Sequence, residues 1–371
     1  MNDLSPIRAP APALPPCHAP GVYFGLAEAR YHADPALGST DLRLLLKSAS
    51  DFWWQSPMNA LRAEREETPA LLYGRALHKL VLEGSEAFAG AFCAEPDKAD
   101  YPGALITNAQ LEAFLIEKGT KPRAKTKKED LEAAARPLLE GTDAVIWSDV
   151  MRVATLEAKG RALLKPKMHA EVIMAAAEIA RNERLTEAFR NGRAEVSIFW
   201  ERGGVRLKSR IDYLKVKQLV NLKSFRPKNE APPHMAVMAA IAAHRYDMQA
   251  ALHLEARAEL ARLVRAGRVF AHDGALPAAD WLAAVAAEQE FEAWLAFYQA
   301  EGAPNVLPRR FKRGSPVAVA AAADLELALS TFRQNLERHG SEAWPYEDPF
   351  AIDPDVDFDN LPKWFKPELV S

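Results

Sequence analysis

The sequence predicts a mixed α/β (α+β) fold, a central sheet flanked by helices, and three observations carry that expectation. Between 194 and 225 three apolar runs of strand length follow one another, within AEVSIFWERGGVRLKSRIDYLKVKQLVNLKSF. On both sides of it, apolar residues recur every three or four positions, as on the buried face of a helix. The 371 residues, 49% of them hydrophobic, suffice for one large or two modest cores.

Taken in chain order, MNDLSPIRAPAPALPPCHAP is rich in Pro and Ala and reads as a disordered leader over 1–20. In LGSTDLRLLLKSASDFWWQ, Ser39 or Thr40 caps a helix, and Leu42, Leu44, Leu45 and Leu46 lead into Phe52, Trp53 and Trp54, giving a helical hairpin with an aromatic face. PALLYGRALHKLVLEG, at 69–84, has helical spacing and sets His78 on or beside its buried face. From about 104 to 140, two helical patterns flank TKPRAKTKK, a small helical insert whose basic run reads as a solvated loop. More helix is expected from about 149 to 190.

The three strands join through Gly203-Gly204 and then through the polar stretch Lys215 to Gln218, which predicts an antiparallel meander. Beyond it the expectation is one alanine-rich helix from about 232 to 265 and another near 278 to 289. Strands are expected at FEAWLAFYQAE and SPVAVAA, and a closing helix at DLELALSTFRQNLERH. The folded domain is thus expected over 21–340, with 341–371 as a C-terminal tail packing on it.

The net charge of -3 gives no overall basic field, so contact with nucleic acid requires a local patch. Cys17 and Cys93 form neither a disulfide framework nor a zinc spacing, and two reduced thiols in a cytoplasmic protein are the expectation. No stretch has the length and apolarity of a membrane span. The nine histidines contain no HExxH, and Gly203-Gly204 belongs to a hairpin, not a phosphate loop. RRFKRG at 309–314 fits a solvated loop and a grip on a phosphate backbone about equally.

Singly, the polar residues of the meander have ordinary readings: Asp212 a strand-end aspartate, Lys223 an edge lysine, Glu195 a surface acid, His78 a core histidine. Together they suggest phosphodiester hydrolysis, which relies on a divalent cation held by hard oxygen ligands. In a meander Asp212 converges with the next strand, where period-two alternation puts 221 and 223 on one face. Asn221 then occupies a ligand position, the carbonyl of Leu222 offers a further donor, and Lys223 is placed to orient or deprotonate the attacking water.

GRALH (74–78), AEVSIFW (194–200), VRLKSRIDYL (205–214), VNLKSF (220–225) and YDMQAA (246–251) stand in the order and spacing of the PD-(D/E)XK nuclease superfamily. The set most resembles its RecE or exonuclease VIII-type exodeoxyribonucleases, often prophage-encoded. YHADPALGSTDLRLLLKSASDFWW resembles the start of those domains and WPYED…LPKWF their end, so the resemblance spans roughly 22–365. It implies a restriction-endonuclease-like core with His78 and Asp212 as metal ligands, Mg²⁺ or Mn²⁺ as the ion, and Lys223 as the catalytic lysine. It also implies that Glu195 assists metal or water positioning and that Gln249 orients the lysine or a phosphate. Tyr246 belongs to the same helix motif, Lys208 and Arg210 match a KxRxD pattern, and the resemblance implies that all three contact DNA. The implied activity is digestion of linear double-stranded DNA from an end by a homo-oligomer, in recombination or phage DNA processing, with a single-strand annealing protein as partner.

The departure is Asn221, where members carry Asp or Glu. An amide oxygen coordinates without bringing charge, which weakens a hard cation's hold. Two readings follow: a nuclease of reduced or metal-selective activity, and a catalytically impaired relative that binds DNA or DNA ends.

Overall fold

The computed structural model describes residues 17–63, 67–185, 187–228, 230–272, 274 and 276–347. The expected leader up to 16 and the LPKWF motif of the tail lie outside them. Before the meander come β1 (Gly21–Phe24), α1 (Glu28–Ala33), α2 (Ser39–Lys47), α3 (Ala49–Gln55) and α4 (Pro69–His78). After α4 follow α5 (Gly84–Ala91), β2 (Phe92–Ala94), β3 (Ala104–Leu105), α6 (Asn108–Glu117), α7 (Lys128–Ala135), β4 (Val145–Ile146), α8 (Trp147–Ala158), β5 (Ala162–Leu164) and α9 (Pro166–Arg181). The meander is β6 (Arg193–Arg202), β7 (Val205–Leu214) and β8 (Gln218–Phe225). The chain continues as α10 (Pro233–His244), α11 (Tyr246–Arg265), β9 (Val269–Ala271), α12 (Ala279–Ala287), β10 (Glu292–Gln299), β11 (Val306–Phe311) and α13 (Pro316–His339).

Seven strands form one mixed sheet in the order β11-β10-β8-β7-β6-β1-β9, with β8–β10 and β1–β9 parallel and the remaining pairs antiparallel. One face packs against α2, α11 and α13 through Val196, Ile198, Trp200, Leu295 and Phe297. The other packs against α4 and α9 through Tyr213, Val220, Leu222 and Ala296. Both faces are covered by helices, as the alternating apolar runs require. Helices α6 and α7 close on a small core of their own around Leu111, Phe114, Leu115 and Leu131. No helix among the described residues is long and apolar enough to cross a membrane.

Four expectations need correction. The cap of α2 lies one residue before the earlier of its two expected positions: Gly38 holds it, and its N–H accordingly donates to Asp41 at 2.8 Å. SPVAVAA is the first two turns of α13, not a strand; Ser315 caps it, accepting from Ala318 N–H, and Pro316 takes the first helical position, where its missing N–H costs nothing. The Val/Ala alternation imitates a strand, but alanine carries no β preference. The strand lies instead at Val306–Phe311, running into the start of the basic cluster. Pro308 argues against a strand by sequence, yet is tolerated because β11 is an edge. Finally, the helix expected over 232–265 breaks at Arg245, which is left-handed at φ 52° and ψ 47°. Arg245 donates to both Asp247 and Asp324, and this clamp turns the chain without any Pro or Gly.

The end of the expected leader is packed: His18 is buried, with Nδ1 2.9 Å from Asp34 Oδ2. At the other end Trp344 is buried against Phe52 and Phe332.

Candidate active site

The site forms where the sheet opens. Strands β7 and β8 pair only at Tyr213–Val220 and Leu214–Leu219 and then diverge, β7 staying with β6 and β8 with β10. Divergence leaves main-chain donors without ladder partners inside the protein, which costs about 1–3 kcal/mol each if unsatisfied. Two side chains take over: Asn221 Oδ1 accepts from Asp212 N–H at 3.2 Å, and Asp212 Oδ2 accepts from Leu222 N–H at 2.8 Å. The fork is thus stitched by the two residues at its crotch.

Glu195 and Asp212 are in register with each other, lying between the pairs Ala194–Tyr213 and Val196–Ile211. At this rung both strands lose their alternation. Val196 and Ile211 face the α11 side, and strict period two would put Ala194 and Tyr213 there as well. Those two pack on the α4–α9 side instead, with Leu214 back on the α11 side. Both strands slip by one residue together, so the pairing register survives while the two carboxylates are redirected. Glu195 pays for its part with a left-handed backbone, φ 55°, which costs a non-glycine residue about 1–2 kcal/mol. Arg210 holds it there, donating through Nε to Glu195, and through Nη1 to both Leu26 O at 2.7 Å and Ser197 Oγ at 3.0 Å.

His78 arrives from the other face, as the last residue of α4. Thr68 caps that helix, accepting from Leu71 N–H, and Pro69 occupies its first turn. Directly after His78 the helix widens into a π turn over Lys79–Glu83, a local change common at functional sites. The wider spacing lets Leu77 and Leu82, five residues apart, both be buried.

The ligand atoms of His78, Glu195 and Asp212 all lie within 4.8 Å of one another. His78 Nε2 is 3.1 Å from Leu222 O, and a carbonyl only accepts, so this nitrogen carries the proton. Nδ1 consequently faces the carboxylates, 3.7 Å from Asp212 Oδ2 and 3.9 Å from Glu195 Oε1. A metal-binding histidine is held in this way, one nitrogen donating to a backbone carbonyl and the other turned to the ion. Burial would lower the His78 pKa, but Asp212 and Glu195 outweigh it and raise it above the ordinary value. Burial would raise Glu195, yet the His78 hydrogen bond and the Arg210 charge bring it down to about 2. One imidazole nitrogen and two converging carboxylates fit a divalent cation, whose charge replaces that of the Nδ1 proton.

Lys223 Nζ lies 4.0 Å from Asp212 Oδ2 and 5.5 Å from the centre of the Tyr246 ring. Gln249, three residues after Tyr246 on α11, shares its helix face and is half-buried. The structure thus brings together His78, Glu195, Asp212 and Lys223, with Tyr246 beside the lysine.

Four residues stand elsewhere in the arrangement than the sequence suggested. Asn221 is 1% exposed and its oxygen serves Asp212 N–H; Leu222 O serves the histidine. Both orient ligands in this geometry. Lys208 is 7% exposed and donates to Tyr31 O at 3.1 Å and Asp34 O at 2.6 Å, so it fastens the α1 turn from inside and presents no DNA-facing charge. Arg210 is committed to Glu195. The sequence reading had no signal for that grip, since the left-handed turn at Glu195 and the slipped rung leave no mark on composition.

Residues 47–261, more than half the chain, match the model of a family described as "PDDEXK-like domain of unknown function (DUF3799)". A crystal structure from Eubacterium rectale, of a protein described as "Putative exonuclease", aligns with 74% of this chain and 85% of its own at 14% identity and a TM-score of 0.29. No match is found among the curated proteins.

Proposed function

The chain belongs to the PDDEXK-like family DUF3799, and from that premise we propose that it is a metal-dependent deoxyribonuclease of the RecE or exonuclease VIII type, hydrolysing linear duplex DNA from an end. The observation that carries the reading is the convergence of His78, Glu195 and Asp212 within 4.8 Å, with the Lys223 ammonium 4.0 Å from Asp212. His78 Nδ1, Glu195 and Asp212 would hold a divalent cation, which supplies the Lewis acidity that phosphodiester hydrolysis needs. Two carboxylates suit Mg²⁺ or Mn²⁺, and the imidazole favours Mn²⁺.

In this reading Lys223 orients the attacking water and balances charge that builds on the phosphate, while the Tyr246 ring fixes the direction of its ammonium. Leu222 O keeps the His78 proton on Nε2. Arg210 keeps Glu195 ionised and aimed. Glu195 and Asp212 still bring two negative charges to the site, which favours an active enzyme over an impaired one. The buried neutral amide of Asn221 favours the alternative, a relative that binds DNA ends without cutting them. Double-stranded DNA ends, an annealing protein, a homo-oligomeric assembly and a cytoplasmic setting belong to the proposal through the resemblance alone.

The test is digestion of end-labelled linear duplex DNA in Mg²⁺ and in Mn²⁺. The native chain is expected to degrade it, faster in Mn²⁺, and Lys223→Ala to be slower by about 10²–10⁴-fold with its fold retained. Cleavage only by Asn221→Asp would replace the nuclease reading with the DNA-binding one. Absence of cleavage by both forms in both metals would sink it.

A further inference from the structure

A cavity of about 330 Å³ lies between the ends of the parallel strands β8 and β10 and the first turns of α4 and α9. Its volume is at the lower end of small-molecule sites, and the carboxyl ends of parallel strands are a common place for ligands. Arg226, in its wall, stands three residues beyond Lys223, about 10 Å along an extended chain. Pro69, also in its wall, stands nine residues before His78, about 13 Å along a helix. The cavity is therefore separate from the candidate active site, joined to it by one strand and one helix.

Both helices start at this cavity with unmet donors, because the first N–H groups of a helix have no partner within it. In α4, Pro69 has no N–H and Thr68 caps Leu71, which leaves Ala70. In α9, Pro166 has no N–H and no side chain caps the helix, which leaves Lys167 and Met168. Ala70, Lys167 and Met168 all line the cavity. The charge there runs against local preference. A helix start is the positive end of its dipole and favours acids, yet neither first turn holds one, and α9 has Lys165 at its cap and Lys167 at its second position. Departures of this kind gather at functional sites. The two acids that line the cavity, Glu171 and Glu301, lie 3.8 Å from Lys167 and 2.8 Å from Arg226 in solvent-accessible pairs, which are weak.

The wall supplies an independent sign. Tyr73 is 6% exposed and lines the cavity, and its buried hydroxyl forms no hydrogen bond, although the Tyr298 phenol is near enough to act on it. A buried hydroxyl without a partner is rare in a folded protein, and one in the wall of a cavity is completed by what the cavity holds. We propose that this cavity binds a phosphate group, held by Lys165, Lys167 and Arg226, by the free main-chain donors of the two helix starts, and by the Tyr73 hydroxyl. The site stands without the nuclease reading, which bears only on the source of the ligand: inorganic phosphate, or the mononucleotide that hydrolysis releases.

The test is calorimetric titration of the full chain with inorganic phosphate, in EDTA and at constant ionic strength. Saturable binding with a Kd below about 1 mM is expected. Lys165→Gln combined with Arg226→Gln is expected to weaken it by about tenfold or more, and Tyr73→Phe, which removes an oxygen and no charge, by about three- to tenfold. The control is Lys125→Gln with Lys127→Gln, which removes the same charge from the exposed α6–α7 loop and is expected to bind as the native chain does. Thermal melts verify folding, and the Lys165/Arg226 variant alters only exposed side chains, so it serves even where Tyr73→Phe does not fold. Absence of binding by the native chain, unchanged affinity in either folded variant, or an equal loss in the control overturns the site. Titration with deoxyadenosine monophosphate separates the sources: tighter binding than phosphate assigns the released mononucleotide, weaker binding the free ion. A chain that cleaves DNA and binds no phosphate loses this site and keeps the nuclease reading. One that binds phosphate and cleaves no DNA keeps the site and loses the mononucleotide as its source.

Discussion

Replacing Asn221 by aspartate places a second carboxylate beside Asp212 in a position that is 1% exposed. The new oxygen still accepts the Asp212 N–H, now at 3.2 Å from the amide, so the stitch across the fork survives. The charge is the perturbation. Two carboxylates about 5 Å apart at an effective dielectric of about 20 repel by about 3 kcal/mol, and desolvation of the new group adds to that. Lys223, 4.0 Å from Asp212, offsets a part and leaves a net loss of about 2–3 kcal/mol in the absence of a divalent cation. The repulsion raises the folded-state pKa of the new carboxyl above its unfolded value of about 3.9. The folded form then binds more protons than the unfolded one across that window, so stability falls as pH rises through it and the full loss is present at pH 8. Urea unfolding of Asn221→Asp and of the native chain, in EDTA and in excess Mn²⁺ at pH 5 and pH 8, measures each part. The variant is expected to be weaker in EDTA at pH 8, and to regain more from Mn²⁺ than the native chain does, because binding to the native state alone is stabilising. A variant as stable as the native protein in EDTA at pH 8 would refute the argument that residue 221 faces Asp212 in a desolvated space.

Arg210→Met releases Glu195 from its grip and should weaken Mn²⁺ binding about 10–100-fold by calorimetric titration, as loss of a ligand-orienting partner does. Lys208→Met strands the carbonyls of Tyr31 and Asp34 and should lower stability by about 1–3 kcal/mol, while the salt dependence of DNA binding stays unchanged; a flatter slope would put Lys208 at the DNA. Glu195, ordinarily near 4.5 and lowered here to about 2, contributes stability that is present above pH 4.5 and lost as pH falls toward 2. Acid unfolding of Glu195→Gln, followed between pH 5 and pH 2, should lack this component.

The meander was legible because its alternation and its Gly203-Gly204 turn are local signals, and so were the helical patterns that form α6 and α7. The helix break at Arg245 was not, since nothing in AAHRYDMQ departs from helical propensity and the clamp to Asp324 comes from 79 residues away. SPVAVAA misled because period two in small residues is no evidence of a half-buried strand. At the site, spacing placed Lys223 beside Asp212 correctly. It could not show that Asn221 and Leu222 are occupied by their neighbours, or that Lys208 is turned inward, because alternation gives a face and says nothing about what waits there.

The two-rung junction between β7 and β8 has a mechanical meaning. It divides the sheet into two groups of strands, β11-β10-β8 and β7-β6-β1-β9, meeting along a seam two residues long. Lys223 belongs to the first group, and His78 is tethered to it through Leu222 O; Glu195 and Asp212 belong to the second. The jaws of the site are therefore carried on opposite sides of this seam, and the opening there sets the distances of His78 and Lys223 from Glu195 and Asp212. Side-chain stitches across a short seam yield more easily than a full ladder, so whatever enters the jaw acts on that opening directly.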